Sequence, residues 1–122
     1  VASKLQLNII ISLHLFLRKT NIQGDFHHIP AADNSLDAGF SFEAIEHAPQ
    51  KVVVYKELFR VLKPGACFAD LEWVMTNKYD PNNKRHSELK MGIMKGNGLP
   101  DIETVEEVLQ AVKVCAYWKT KN

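Results

Sequence analysis

The stretch Leu36–Val74, LDAGFSFEAIEHAPQKVVVYKELFRVLKPGACFADLEWV, decides the fold. Leu36 to Phe42 is an apolar run with a polar end and reads as a mostly buried strand. Glu43 to His47 follows as a loop. Pro49 stands where a helix would start, because a missing N–H costs nothing in a first helical turn. Val52, Tyr55, Leu58, Phe59 and Leu62 then recur at helical spacing, with Lys51, Lys56, Glu57 and Arg60 mostly elsewhere. Lys63-Pro64-Gly65 ends that helix, and Ala66 to Val74 reads as a second strand. Strand, loop, helix, Pro-Gly turn and strand in that order argue for an α/β fold with parallel strands.

Outward from this unit the pattern continues. Toward the C-terminus, Asp80-Pro81-Asn82-Asn83 marks a turn or helix entry, and Lys84 to Lys95 suits a helix. Gly96-Asn97-Gly98-Leu99-Pro100 breaks it. Thr104 to Val114 fits a last helix, with Val105, Val108, Leu109 and Val112 on one side. Toward the N-terminus, Ala31 to Ser35 is a turn cluster and Ile22 to Phe26 suits a short strand ending at Asp25. Every odd position from Leu5 to Leu17 is Leu or Ile, a strand period, yet Leu5, Ile9, Leu13, Phe16 and Leu17 also fit a helical stripe. The type of that element stays open.

The chain has 122 residues, which suits one domain. Its formal net charge of +1 carries no large basic block, so nothing points to nucleic acid. Cys67 and Cys115 form no CxxC or Cys/His pattern, and a reduced intracellular chain is the simpler reading. The apolar stretch near the N-terminus is interrupted by Gln6, Asn8, Ser12 and His14, short of the roughly 20 residues that span a bilayer. His27 and His28 lack a third ligand at metal spacing, so no metal site is expected. The first residue is Val1, which reads as a chain cut, processed or taken from an incomplete gene model.

In open α/β sheets, ligands gather at the carboxyl ends of strands. Three such ends carry polar or aromatic residues: Asp25-Phe26, Glu43 to His47, and Glu72-Trp73. Each residue also has a plain structural reading. Asp25 suits a solvated turn, His47 a helix start, Trp73 core packing, and Tyr79 a loop filler.

Several blocks here resemble a known family. Asp33-Asn34-Ser35-Leu36-Asp37 and Leu62-Lys63-Pro64-Gly65 are similar to the DNSFD and LKPG turns of class I methyltransferases. Glu43 to Pro49 resembles EATCHAP, and Val54 to Gly65 resembles VYKEIYRVLKPG. Glu72 to Asn83 resembles EWVMTDKYDPNN, and Gly96 to Ile102 resembles GNGLPDI. These longer blocks resemble the sterol 24-C-methyltransferases, the plant-type enzymes most of all, from about Gly24 to Lys113.

The resemblance implies a partial Rossmann-like class I methyltransferase sheet with flanking helices. It implies S-adenosyl-L-methionine as cofactor and the side-chain double bond of a Δ24 sterol as methyl acceptor, in sterol biosynthesis. In that chemistry the alkene attacks the sulfonium methyl group, and the carbocation formed then loses a proton. Alignment, cation stabilisation and a base are its requirements. By the same resemblance, Asp25 and Phe26 would sit at the adenine, and Glu43, Ala44 and His47 would line the cofactor and reaction edge. Glu72, Trp73 and Tyr79 would face the sterol or the cation. Glu43, His47, Glu72 and Tyr79 are thus the catalytic candidates. Peripheral association with the endoplasmic reticulum membrane is a further implication of the family.

The chain also departs from the family pattern. No glycine-rich loop precedes Gly24, residues 1–21 read as a divergent segment, and residues 22–122 read as a partial methyltransferase domain lacking the first strand or strands. A C-terminal sterol-binding extension is missing as well. Ile45-Glu46 replaces a Thr-Cys pair, Leu71 a tyrosine, and Asn77 an aspartate. The expectation is therefore an inactive fragment with thin apolar cover. The alternatives are a non-catalytic interaction module and a methyltransferase acting on another small molecule.

Overall fold

A computed structural model describes residues 8–11 and 20–121, with side chains over 24–116. Most of the apolar N-terminal stretch, and so most of the segment 1–21, lies outside the described residues. Within it, Asn8–Ile11 is a strand, β1, which pairs antiparallel with β2, Thr20–Gln23. The sequence reading leaves the type of this element open, and the parallel pair it argues for lies further along the chain, between Leu36–Phe42 and Leu62–Leu71. Residues 12–19 are too few for a parallel crossover, which takes a dozen or more residues, so antiparallel pairing is the accessible geometry. The strand expected over Ile22 to Phe26 accordingly ends earlier, at Gln23, and Asp25 lies in a turn bridged to His28.

The central unit follows the sequence reading in its order, though its second strand starts at Leu62 and ends at Leu71, where Ala66 to Val74 was expected. β3, Leu36–Phe42, runs parallel to β4, Leu62–Leu71, and the connection carries a 3-10 turn, Ile45–His47, and helix α1, Lys51–Val61. The pairing begins at Leu36 with Leu62 and resumes at Ala38 with Cys67, so residues 63–66 loop out of the ladder. Pro64 has no N–H to give, and Gly65 adopts a φ of 79°, which only glycine takes without steric cost. The Pro-Gly pair that ends the helix thus also sets the bulge that starts the strand.

The loop before β3 is strapped to α1 by one guanidinium. Arg60 donates to the carbonyls of Ile29 and Ala31, both at 2.9 Å, and to the carboxylates of Asp33 and Glu57, both at 2.6 Å. Glu57 completes the strap by accepting the N–H of Ile29 at 2.8 Å. These bonds hold the Glu57 carboxyl below its usual range, Arg60 first among the causes.

The core sits where α1 meets helix α3, Val105–Lys121. Val54, Tyr55 and Cys115 are buried together with Ile45 and Ala48, and Phe26, Leu58, Phe68 and Val112 pack around them. Helix α3 opens with a capping box: Thr104 Oγ1 accepts the Glu107 N–H, and Glu107 Oε2 accepts the Thr104 N–H. Helix α2, Lys84–Asn97, is capped by Asn83 Oδ1 and closes on Gly98 at a φ of 65°. It buries none of its residues.

The strand expected to be mostly buried is open on one side. Phe40 and Phe42 of β3 are 55% and 69% exposed, and their ladder neighbours Ala69 and Leu71 are exposed as well. Residues paired in a parallel ladder share a face, and among the described residues it is the face bearing Phe68 that packs on the helical core. Both Cys67, on the open face, and Cys115, in the core, are free thiols.

Arg60→Ala is expected to lower stability by about 2 kcal/mol, since it strands charged and carbonyl acceptors together. Arg60→Lys should recover little, because an ammonium cannot span the four acceptors as a fork does. The urea midpoints of the two variants check this. Thr104→Ala should cost about 1 kcal/mol by the same measurement.

Candidate functional site

The carboxyl ends of β3 and β4 lie side by side because the strands are parallel. Phe42 pairs with Leu71, and the Glu43 N–H still donates to the Leu71 carbonyl at 2.7 Å. Beyond this last ladder bond the two chains diverge, and both following segments turn toward each other. Glu43 makes its turn with a φ of 46°, in the left-handed region that a residue with a Cβ enters at a cost. Its side chain is exposed.

Glu72 then ties the two segments together. Its Oε1 accepts the N–H groups of Ala44 at 3.3 Å and Ile45 at 3.0 Å and the hydroxyl of Ser41 at 3.3 Å. Its Oε2 accepts the Glu46 N–H at 2.6 Å. Three successive amides at the start of the 3-10 turn are thereby satisfied by one carboxyl from β4's end. Glu46 returns the contact, its Oε2 accepting the Trp73 N–H at 2.9 Å. Glu46 is buried, and the Glu72 carboxyl lies against its backbone amide.

The surroundings are crowded with acids. Asp70, the acidic neighbour of Glu72, accepts from the Tyr55 hydroxyl at 3.1 Å. Burial first, and then the neighbouring Asp70, push the Glu72 carboxyl above its usual range. Glu46 is pushed up as well, by burial and then by Glu72, against the lowering effect of the Trp73 amide. Burial and Asp70 raise Tyr55 far above the ordinary phenol range, so it stays a neutral donor. Lys51, buried, stands 3.6 Å from Glu103.

The structure brings most of the sequence candidates to this edge. Ala44 and His47 belong to the 3-10 turn region, Glu43 precedes it, and Glu72 holds it. His47 Nε2 is 3.9 Å from Glu46 Oε1, while its Nδ1 is buried without a hydrogen-bond partner. Phe26 packs on the same buried cluster as Ile45 and Ala48. Asp25 faces elsewhere: its Oδ1 receives the N–H and Nδ1 of His27, both at 2.8 Å. The amide bond from His27 is the first cause that keeps its carboxyl below the usual range. Tyr79 lies on the α2 side, where its ring meets His86 and has Lys90 Nζ 5.5 Å from its centroid. Trp73 is 41% exposed and not a core residue. Glu46 was missed as a site residue. Its signal was present, since a charged residue stands where the resembled family has cysteine.

Parallel strands joined by a helix, with polar residues at their carboxyl ends, place those residues where open α/β sheets bind ligands. Residues 8–69 match the family model described as "Methyltransferase domain", and the chain belongs to that family. Among curated proteins, the chain is 50% identical over 92 residues to cycloartenol-C-24-methyltransferase 1 of Oryza sativa subsp. japonica, covering 75% of this chain and 27% of that one. It is 45% identical over 96 residues to cycloartenol-C-24-methyltransferase of Arabidopsis thaliana, covering 79% and 29%. The chain thus spans little more than a quarter of the length of these relatives. Among solved structures, one described as a sarcosine dimethylglycine methyltransferase from Galdieria sulphuraria matches with a TM-score of 0.64 at 29% identity, over 75% of this chain and 32% of that one. A methyltransferase structure from Bacillus halodurans matches at a TM-score of 0.64 and 18% identity, over 76% and 39%, and supports the fold alone. The sequence resemblance to sterol C-24 methyltransferases and the partial class I methyltransferase fold are both borne out.

Glu43→Gly should leave the fold intact and raise its stability by up to about 1 kcal/mol, because glycine adopts the left-handed φ freely. A lower melting temperature for this variant would show that the Glu43 side chain, rather than the backbone turn, stabilises the segment.

Proposed function

We propose that this chain is part of a sterol 24-C-methyltransferase, and that its β3–β4 edge forms one side of the S-adenosylmethionine and sterol site. The observation that carries this reading is the Glu43–His47 turn held against Glu72-Trp73 at the carboxyl ends of parallel strands. Both segments lie in blocks that resemble sterol 24-C-methyltransferases in sequence. The residues present fit one edge of such a cofactor. Phe26 and Ala44 offer apolar surface, Glu43 an exposed carboxylate, and the buried Nδ1 of His47 a polar atom still without a partner. When bound, the cofactor supplies a methyl group activated on a sulfonium centre.

The chain's own groups then divide the work. Phe26 and Ala44 exclude water from the edge. Asp25, anionic and exposed, is the adenine-side candidate, though His27 already occupies one of its oxygens. Glu43 and His47 are free to stabilise a passing cation or accept a proton. Glu72 has both oxygens engaged by backbone amides, so its part is to hold the turn, and any proton it takes is shared with Asp70 and Glu46. Tyr79 offers a π face that already accommodates one cation, Lys90, and a sterol-derived cation would compete for it. The membrane of the endoplasmic reticulum is the proposed place of work. None of the described helices is long and apolar enough to cross a membrane, so association there would be peripheral for this part. We read residues 22–122 as the methyltransferase unit behind a divergent segment 1–21. The family model matches residues 8–69 and so begins inside that first segment.

A second reading has its own support. The open face of β3 and β4 exposes Phe40, Phe42 and Leu71, which favours a piece that works only with more chain around it. Calorimetric titration with S-adenosylhomocysteine separates the two. Micromolar binding, weakened at least tenfold in His47→Ala, supports a competent cofactor edge. No binding at millimolar ligand leaves the chain as a non-catalytic piece. Methyl transfer from labelled donor to a Δ24 sterol, but not to other small molecules, tests the substrate class.

A further inference from the structure

The carboxyls of Glu46 and Glu72 each reach across to the other's segment. Glu72, at the end of β4, accepts the amides of Ala44, Ile45 and Glu46. Glu46, in the turn after β3, accepts the amide of Trp73. Four backbone donors from two segments are thus held by two carboxyls, and Glu72 Oε2 sits 2.6 Å from the amide nitrogen of Glu46 itself, which brings the two acids into one neighbourhood. Two carboxylates so placed cannot both ionise without repulsion, and a proton between them turns repulsion into a hydrogen bond. We propose that Glu46 and Glu72 are positioning residues, a reciprocal proton-sharing clasp that sets the Glu43–His47 edge and loosens as pH rises.

The neighbours define how the clasp responds. Asp70 of β4 neighbours Glu72 and adds negative charge. Tyr55 of α1 donates to Asp70 and lessens that burden. His47, on the same turn, stands near Glu46 at 3.9 Å, and Lys51 of α1 is occupied by Glu103 from the segment before α3. Acids dominate, so the folded form favours a bound proton. Both carboxyls are correspondingly held above their usual range, with burial the first cause. Stability from this source is complete below the ordinary carboxylate value and is lost as pH rises through the raised values. The clasp depends on Glu46, which supplies the acceptor for the Trp73 amide.

That the clasp serves a cofactor edge rests on the function proposed above; the clasp itself does not. The test is a pH titration of the ¹⁵N-labelled full chain followed by NMR. The amides of Ala44, Ile45 and Trp73 should titrate together, with a midpoint above the ordinary carboxylate range. In Glu46→Gln the midpoint at Ala44 and Ile45 should fall, while Trp73 keeps its protection from hydrogen exchange. Glu46→Ala should speed exchange at Trp73 about fivefold, the effect of losing one net hydrogen bond. Separate midpoints for Trp73 and the other two amides in the wild-type chain would overturn the proposal. So would an Ala44 midpoint unmoved by Glu46→Gln. Should the variants fail to fold, the wild-type titration decides alone. A chain that shows the shared titration but binds no S-adenosylhomocysteine keeps the clasp and loses the cofactor reading.

Discussion

Two parallel strands cannot be joined by a tight turn, and this constraint organises the molecule. β3 and β4 lie side by side only because the chain between them is long enough to travel back along the sheet. That return is α1, and α1 is also the centre of the core. Val54 and Tyr55 face inward, α3 closes over them with Cys115, and Arg60 straps the preceding loop to the same helix. The residues that make the crossover possible are therefore the ones that make the fold stable. Where the intervening chain is short, as between β1 and β2, the pairing is antiparallel instead.

The same constraint creates the site. Parallel strands end at the same edge, so the segments that leave them must share space. Here that space is filled by carboxyls whose oxygens satisfy backbone amides that no helix satisfies. Burying acids together carries an electrostatic cost, which hydrogen bonds from amides and from Tyr55 offset. The left-handed turn at Glu43 sits at the start of this arrangement and aims its side chain outward. Strain, shared charge and an exposed acid thus fall within a few residues of one another, at the place where a sheet of this kind binds ligands.

Much of the fold was legible because its signals are local. Pro64 and Gly65 stop a helix, and Tyr55, Leu58 and Phe59 mark one helical face by spacing alone, while Leu62, which shares that spacing, already belongs to β4. Asn83 and the Thr104–Glu107 pair mark helix starts in the same way. The site was legible in outline, since Glu43, His47 and Glu72 fall at strand ends. Other features were not legible. The exposure of Phe40 and Phe42 depends on what covers the sheet, and an apolar run looks the same with a face covered or open. Tyr79 sits in a segment much like that of the relatives, yet its ring partners come from α2, which spacing along the chain does not foretell.

By itself, the sequence determined the order of elements from Leu36 onward, the presence of three helices there and the family, because these rest on residue type and near-neighbour spacing. The tertiary structure alone decided which strands run antiparallel, which sheet face stays bare and which acids meet. Those outcomes depend on contacts between residues distant in the chain: Glu46 and Trp73 are 27 positions apart, and Ile45 and Glu72 likewise. A carboxyl's role is set by what it faces, and the sequence names the carboxyl without naming its partner.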